Sequence, residues 1–207
     1  REKMFTGIMQ GIYEVTGIRR EADLLNYEIT LDPERVAGLK IGASVSIEGV
    51  CQTVVSIDTH RAVFDAIRET LDRTTLGSLE LGERVAVERS ARVGDEVGGH
   101  DVSGHIVGRG EILEAQRDGN LCMLRIGVPP DWMKYVVNKG FIAVSGSSLT
   151  VCEADPGGSF AVHLIPETLR LTRLGDRRPG DRVNIELDAR TVAIVDTVER
   201  VMEERAS

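Results

Sequence analysis

The chain has 207 residues, 42% hydrophobic and 28% charged, and 33 acidic against 25 basic side chains give it a formal charge of −8. This is the composition of a globular protein of one large or two small domains, and its acidic balance speaks against nucleic acid as a partner, since phosphate-tracking surfaces carry clustered Lys and Arg. No apolar run approaches the roughly 20 residues that cross a bilayer, and residues 1–30 lack a basic-then-apolar leader, so no membrane contact and a cytoplasmic location are expected.

The first recognisable segment, Thr6-Gly7-Ile8-Met9-Gln10-Gly11 with Glu14, returns as Ser103-Gly104-His105-Ile106-Val107-Gly108 with Glu111, 97 positions later. SIEGVCQTV at 46–54 returns as VSGSSLTV at 144–151. IRETLDRTTLG at 67–77 returns as IPETLRLTRLG at 165–175, and GERVAVE at 82–88 as GDRVNIE at 180–186. Blocks that keep order and spacing, with one inserted residue, mark a tandem duplication. Within each unit the apolar residues alternate, as in Val45-Ser46-Ile47 and Val183-Asn184-Ile185-Glu186-Leu187, between Gly, Asp and Pro turns. Short strands at regular spacing predict a small barrel per unit. A helical turn is predicted at Asp131–Val137, after Pro129-Pro130. At the C-terminus Val192, Val195, Val198 and Met202 recur at three and four residues, which predicts an amphipathic helix. It either packs on its own barrel or forms a seam between subunits, and the narrow stripe favours the seam.

The chain carries no Walker loop, G-x-G-x-x-G, H-E-x-x-H, G-x-S-x-G or zinc-ligand spacing. Cys51, Cys122 and Cys152 cannot all pair and form no Cys-x-x-Cys, so reduced thiols are expected. What remains are polar residues at matched repeat positions: Cys51 with Ser148, Thr53 with Thr150, and Thr70 with Thr168, beside Ile67 and Ile165. Hydroxyls and a thiol among aliphatic residues suit a planar heterocycle with a hydroxylated tail, bound in two related half-sites. Against this stands the plain reading that Thr and Ser simply occupy strand and turn positions. The mismatched positions make the halves unequal: His105 stands against Ile8, Asp188 against Ser90, Phe5 against Val102. His100 and His105 are no metal pair, since on a strand a separation of five puts them on opposite faces. Gly98-Gly99 predict a turn or a close backbone approach.

These residues resemble a known family, the riboflavin synthases of the alpha-chain type, built from two lumazine-binding repeats. The resemblance runs from residue 4 to about 204 and rests on MFTGI at 4–8, GGHDVSGHI at 98–106, KGFIAVSGSSLTV at 139–151, HLIPETLRLTRLG at 163–175 and GDRVNIELD at 180–188. Arg1-Glu2-Lys3 read as an extension before the family's usual start. The resemblance implies a mainly β fold: two tandem, duplicated six-stranded antiparallel Greek-key barrels, residues 1–91 and 92–189, followed by a C-terminal α-helix over 190–207 that mediates trimerisation. It implies a cofactor-free dismutation of two 6,7-dimethyl-8-ribityllumazine molecules, with no metal. Riboflavin and 5-amino-6-ribitylaminouracil would form in active sites between barrels of neighbouring subunits of a homotrimer, with association with lumazine synthase left open. Carried over by position, Ser44, Gly49, Cys51, Thr53, Ala66, Ile67 and Thr70 would line the N-terminal pocket. Ser148, Thr150, Ile165 and Thr168 would line the C-terminal one with His105 and Asp188 nearby, and Phe5 and Thr6 would reach the catalytic region. His105 and Thr150 are the candidates for proton handling, Ser148 and Cys51 for activating or positioning the addition partner.

Three positions depart from the family pattern. Glu48 stands for the usual Asn, Gln52 for Leu and Ser145 for Asp, and the first two would need partners if they pointed inwards. The alternative function is a non-catalytic lumazine- or flavin-binding antenna or storage protein. A flavin-reductase module is the lesser expectation, because it would need a nucleotide-binding domain beyond the two barrels and the helix.

Overall fold

The computed structural model describes residues 4–119 and 121–206, so Arg1, Glu2 and Lys3 lie outside the described residues. Twelve strands form two closed antiparallel barrels. The first contains β1 (Gly11–Arg20), β2 (Leu24–Thr30), β3 (Ser44–Ile47), β4 (Val50–Asp58), β5 (Arg61–Ile67) and β6 (Arg84–Arg89). The second contains β7 (Gly108–Asp118), β8 (Leu121–Gly127), β9 (Phe141–Val144), β10 (Ser147–Asp155), β11 (Ser159–Leu164) and β12 (Arg182–Leu187). The first barrel closes in the order β1-β2-β5-β4-β3-β6, and the second keeps the equivalent order. Outside the barrels lie three short helices, α1 (Pro33–Val36), α2 (Arg68–Arg73) and α3 (Pro166–Leu171), with 3-10 turns at Thr75–Ser78, Pro130–Tyr135 and Leu174–Asp176, and α4 (Ala189–Ala206) is the last described element.

Alternation makes the barrels. In β2, Leu25, Tyr27 and Ile29 point inwards, and in β5 Ala62, Phe64 and Ala66 do so; each aliphatic side chain so buried contributes about 1.5–3 kcal/mol. Tyr27 and Phe64 stack at 5.5 Å between centroids. The register shifts between Val15 and Gly17, Val54 and Ser56, Ile112 and Glu114, and Val151 and Glu153. These are matched bulges in the two units, and bulges bend strands enough for a small barrel to close.

β3, β6, β9 and β12 are buried along most of their length on both faces, because their outer faces meet the other barrel. There Asn184 donates to the Glu48 carbonyl (2.8 Å) and to Thr75 Oγ1 (2.9 Å) and accepts from the Thr75 amide (2.8 Å). The hairpin turns Glu48-Gly49 and Ser145-Gly146 all have positive φ, from 43° to 85°, and lie back to back. A Cβ on Gly49 would stand 2.4 Å from the Gly146 nitrogen. Glycine is required at both, and the two turns form the pivot of the barrel pair.

The C-terminal helix packs along one side on the second barrel. Val192 packs against the second barrel's core, Tyr135 donates to Asp196 (2.6 Å) and Lys134 pairs with Glu199 (2.5 Å). Ile194, Val198 and Met202 remain exposed. Among the described residues no helix is long and apolar enough to cross a membrane.

Candidate functional site

The segments that open each unit do not lie on their own barrels alone. Gly7 accepts a hydrogen bond from the Ser148 amide (2.8 Å) on β10, and Gly104 accepts one from the Cys51 amide (2.9 Å) on β4. Phe5 and Val102 pair with each other and share a small buried cluster with Ala143, against which Cys51 packs. The opening segments are therefore exchanged across the pivot, and each barrel's outer face near β4 or β10 is completed by chain from the other unit.

On the first barrel this creates a cleft of about 270 Å³ lined by Cys51, Glu69, Thr70, Arg73, His105 and their neighbours. Strand alternation sends Cys51 and Thr53 outwards on β4. Ile67 ends β5 and is 57% exposed. Thr70 sits on α2, whose last turn is fixed by Thr74 donating to the Thr70 carbonyl (2.7 Å). Ser44 pairs with Thr53 across β3–β4, but its hydroxyl is buried and unpaired. Ala66 is an interior barrel residue and Gly49 belongs to the pivot, so neither faces this cleft.

On the second barrel Ser148 and Thr150 point outwards from β10, Thr150 pairs with Phe141 of β9, and Ile165 is 60% exposed at the start of α3. Thr168 repeats the role of Thr70, its carbonyl accepting from Thr172 (2.7 Å). His100 Nδ1 lies 2.6 Å from Ser148 Oγ, and its ring stacks on Phe141 at 5.1 Å. Burial lowers the His100 pKa against the pull of Asp188 and Asp101, which keeps a neutral imidazole available to accept the serine proton. Asp188 caps α4, accepting from the Thr191 amide (2.9 Å) and hydroxyl (2.6 Å). Burial disfavours its charge, yet the Thr191 bonds and His100 hold its carboxyl below the usual range.

Besides Ala66 and Gly49, two further expectations change. His105 stands in the first barrel's cleft beside Cys51, not with Ser148, because the segment carrying it crosses over. His100 and His105 are not on a strand at all; an irregular segment buries the first and exposes the second. The histidine that reaches Ser148 is thus one the sequence reading passed over. Its repeat counterpart is Lys3, so the duplication could not flag it, and the only signal was the double glycine before it. A Cβ on Gly99 would stand 2.1 Å from the Thr6 carbonyl and 2.7 Å from Ser148 Cβ, which is the close approach that Gly98-Gly99 predicted.

Glu48 and Gln52 both point inwards and both have partners. Glu48 accepts from the Ala86 amide (2.8 Å) and lies 3.6 Å from Arg177; burial raises its pKa while these two lower it. Gln52 accepts from the Tyr27 hydroxyl (3.2 Å) and donates to the Cys51 carbonyl (3.0 Å). Ser145 supplies an acceptor for the Asn184 amide (3.4 Å). The departures fall on the pivot and barrel interior, and none lines the first barrel's cleft.

A family profile described as lumazine binding domain matches the chain twice, at residues 6–90 and 103–188. The riboflavin synthase of Escherichia coli (strain K12) is 44% identical over 203 residues, 98% of this chain and 95% of that protein. That of Chlamydia pneumoniae is 41% identical over 199 residues, covering 96% and 97%. Among solved structures, LumP complexed with riboflavin superposes with a TM-score of 0.83 at 24% identity, covering 89% of this chain and 100% of that one. LumP complexed with 6,7-dimethyl-8-(1'-D-ribityl) lumazine gives 0.80 at 24%, covering 89% and 99%. Both share the fold.

Proposed function

The chain belongs to the riboflavin synthase family, and we propose that it forms riboflavin by dismutation of two 6,7-dimethyl-8-ribityllumazine molecules. One molecule hands the other a four-carbon unit, and the second product is 5-amino-6-ribitylaminouracil. The atoms of two substrates equal those of the two products, so no external oxidant or reductant enters the balance. A proton leaves the C7 methyl group of one lumazine, and C7 of the other receives the addition.

The observation that carries this reading is the hydrogen-bonded Ser148–His100 pair on the second barrel, set against Cys51 and His105 on the first. Two similar but unequal half-sites suit two identical substrates with different fates. Ser148, its proton accepted by His100, adds to C7 or polarises water for that addition. His105 and Thr150 handle protons, and Cys51 orients the ring in the first barrel. Thr53, Ile67, Thr70, Ile165 and Thr168 pack the rings and ribityl chains, and Asp188 acts through His100.

Phe141, Ile67 and Ile165 are large apolar side chains exposed on these faces. Their exposure supports a site closed by a neighbouring subunit, with the first barrel of one chain meeting the second barrel of the next in a homotrimer and α4 forming the seam. The barrels and helix then divide at about residues 91 and 189, and a cytoplasmic setting fits the substrates.

Incubation of the purified protein with the lumazine alone tests the reading: two lumazines consumed per riboflavin formed, with nothing added, is the expected result. Tight binding without product would instead mean an antenna or storage protein.

A further inference from the structure

Glu88 and Glu186 occupy matched positions near the ends of β6 and β12, and the proposed chemistry uses neither. Both are buried, Glu88 at 1% exposure. Glu88 Oε1 accepts from the Thr6 amide (2.7 Å) and hydroxyl (2.8 Å), and its Oε2 from the Gly7 amide (3.1 Å). Glu186 repeats the pattern with the Ser103 amide and hydroxyl (both 2.7 Å) and the Gly104 amide (2.9 Å). A buried carboxyl group that accepts three hydrogen bonds fixes a backbone segment far more tightly than a loop contact does.

The gripped segments then touch the opposite barrel. Gly7 and Gly104, both at positive φ, carry the carbonyls that bond the Ser148 and Cys51 amides, and a Cβ on either would stand 2.6 Å from the Cβ of Ser148 or Cys51. There is no slack between a gripped segment and the reactive residue it faces, so a shift of the one displaces the other. We infer that each glutamate is a positioning residue for the half-site of the other barrel: Glu186 sets Cys51 and His105, and Glu88 sets Ser148. The inference rests on the proposed reaction and adds to it a crossed dependence between the two barrels.

The full-length chain tests this with E186Q and E88Q, each alone and combined with C51A or S148A, reading kcat and KM on the lumazine alongside thermal melting. E186Q is expected to lower kcat roughly tenfold to a hundredfold, as small misplacements in a site do. That loss shrinks below about threefold in the C51A background and stays whole in the S148A background, because residues acting through one another are not additive. E88Q gives the mirror pattern. If the losses are equal in both backgrounds, or only melting falls while kcat holds, the glutamates merely rivet the barrels and the inference is wrong. Should a glutamine variant not fold, S103A and T6V each remove one donor and are read in the same two backgrounds by the same criterion. If the wild type binds the lumazine without turnover, the reaction fails as a reading, and the crossed pattern is then sought in Kd. Turnover with no crossed pattern removes only the inference.

Discussion

At the scale of single residues, the proposed second half-site turns on a contact between two side chains. The proposal that His100 and Ser148 act as one unit predicts that H100Q and S148A each lower kcat by about a hundredfold or more, and the double variant by little beyond either. Steady-state kinetics of the three variants measures this, and independent losses that multiply would separate the pair. H105Q tests the other half-site: a fall in turnover that far exceeds the loss in binding assigns His105 to proton transfer, whereas unchanged turnover removes it. Glu88 gives the protein a pH dependence of stability. Burial pushes its carboxyl up to about 7, against the bonds donated by Thr6, Gly7 and Ile8, from an ordinary value of 4.5. Because the folded value is the higher one, its contribution to stability is whole below pH 4.5 and is lost as the pH rises through about 7. Comparing urea unfolding of the wild type and E88Q across this window, the variant should lack at most about 3 kcal/mol of that decline. Equal slopes would mean that Glu88 titrates normally.

At the scale of elements, the hairpin turns that form the pivot tolerate no side chain beyond what they have. G146A places a methyl 2.8 Å from Gly49 Cα on a backbone with φ of 85°, and a loss of roughly 2–4 kcal/mol is expected from the clash and the left-handed backbone together. Thermal melting reads it, and an unchanged midpoint would show that the barrels separate cheaply. Glu48 holds its left-handed turn position without the short side chain that favours it, because its carboxyl accepts from Ala86 and faces Arg177. The helix α4 divides along its length: Val192 packs against the barrel core, while Ile194, Val198 and Met202 are exposed. A chain ended after Asp188 is expected to sediment as a monomer with little activity, and an active trimer without the helix would refute its role as the seam.

At the scale of the whole molecule, exchange of the opening segments means that each barrel's face near Cys51 or Ser148 is completed by chain from the other unit. Residues 4–91 contain a closed barrel whose buried core, from Val15 to Val87, lies within them, with Ile106 alone packed on it from the second unit, so this fragment should fold alone and still bind a ribityl ligand. It lacks Gly104 and His105, and its affinity should fall by about tenfold, the worth of one hydrogen bond to a charged or strongly polar group. Fluorescence titration against the full chain measures the ratio. Equal affinity would mean that the crossed segment contributes nothing to binding.

The sequence by itself determined the duplication, the barrels and most of the polar residues on their faces. Alternation of apolar residues and the spacing of glycines are local, and matched blocks such as SIEGVCQTV and VSGSSLTV carry the same local code twice. The pairing of Glu88 with Glu186 was also legible, since GERVAVE and GDRVNIE align, but not what those carboxylates grip. Tertiary structure alone decided which barrel each opening segment serves, that His105 stands beside Cys51, and that His100 reaches Ser148. The reason is physical: the close packing of Gly49 on Gly146 brings the two faces together, and residues far apart in the chain become hydrogen-bond partners only there.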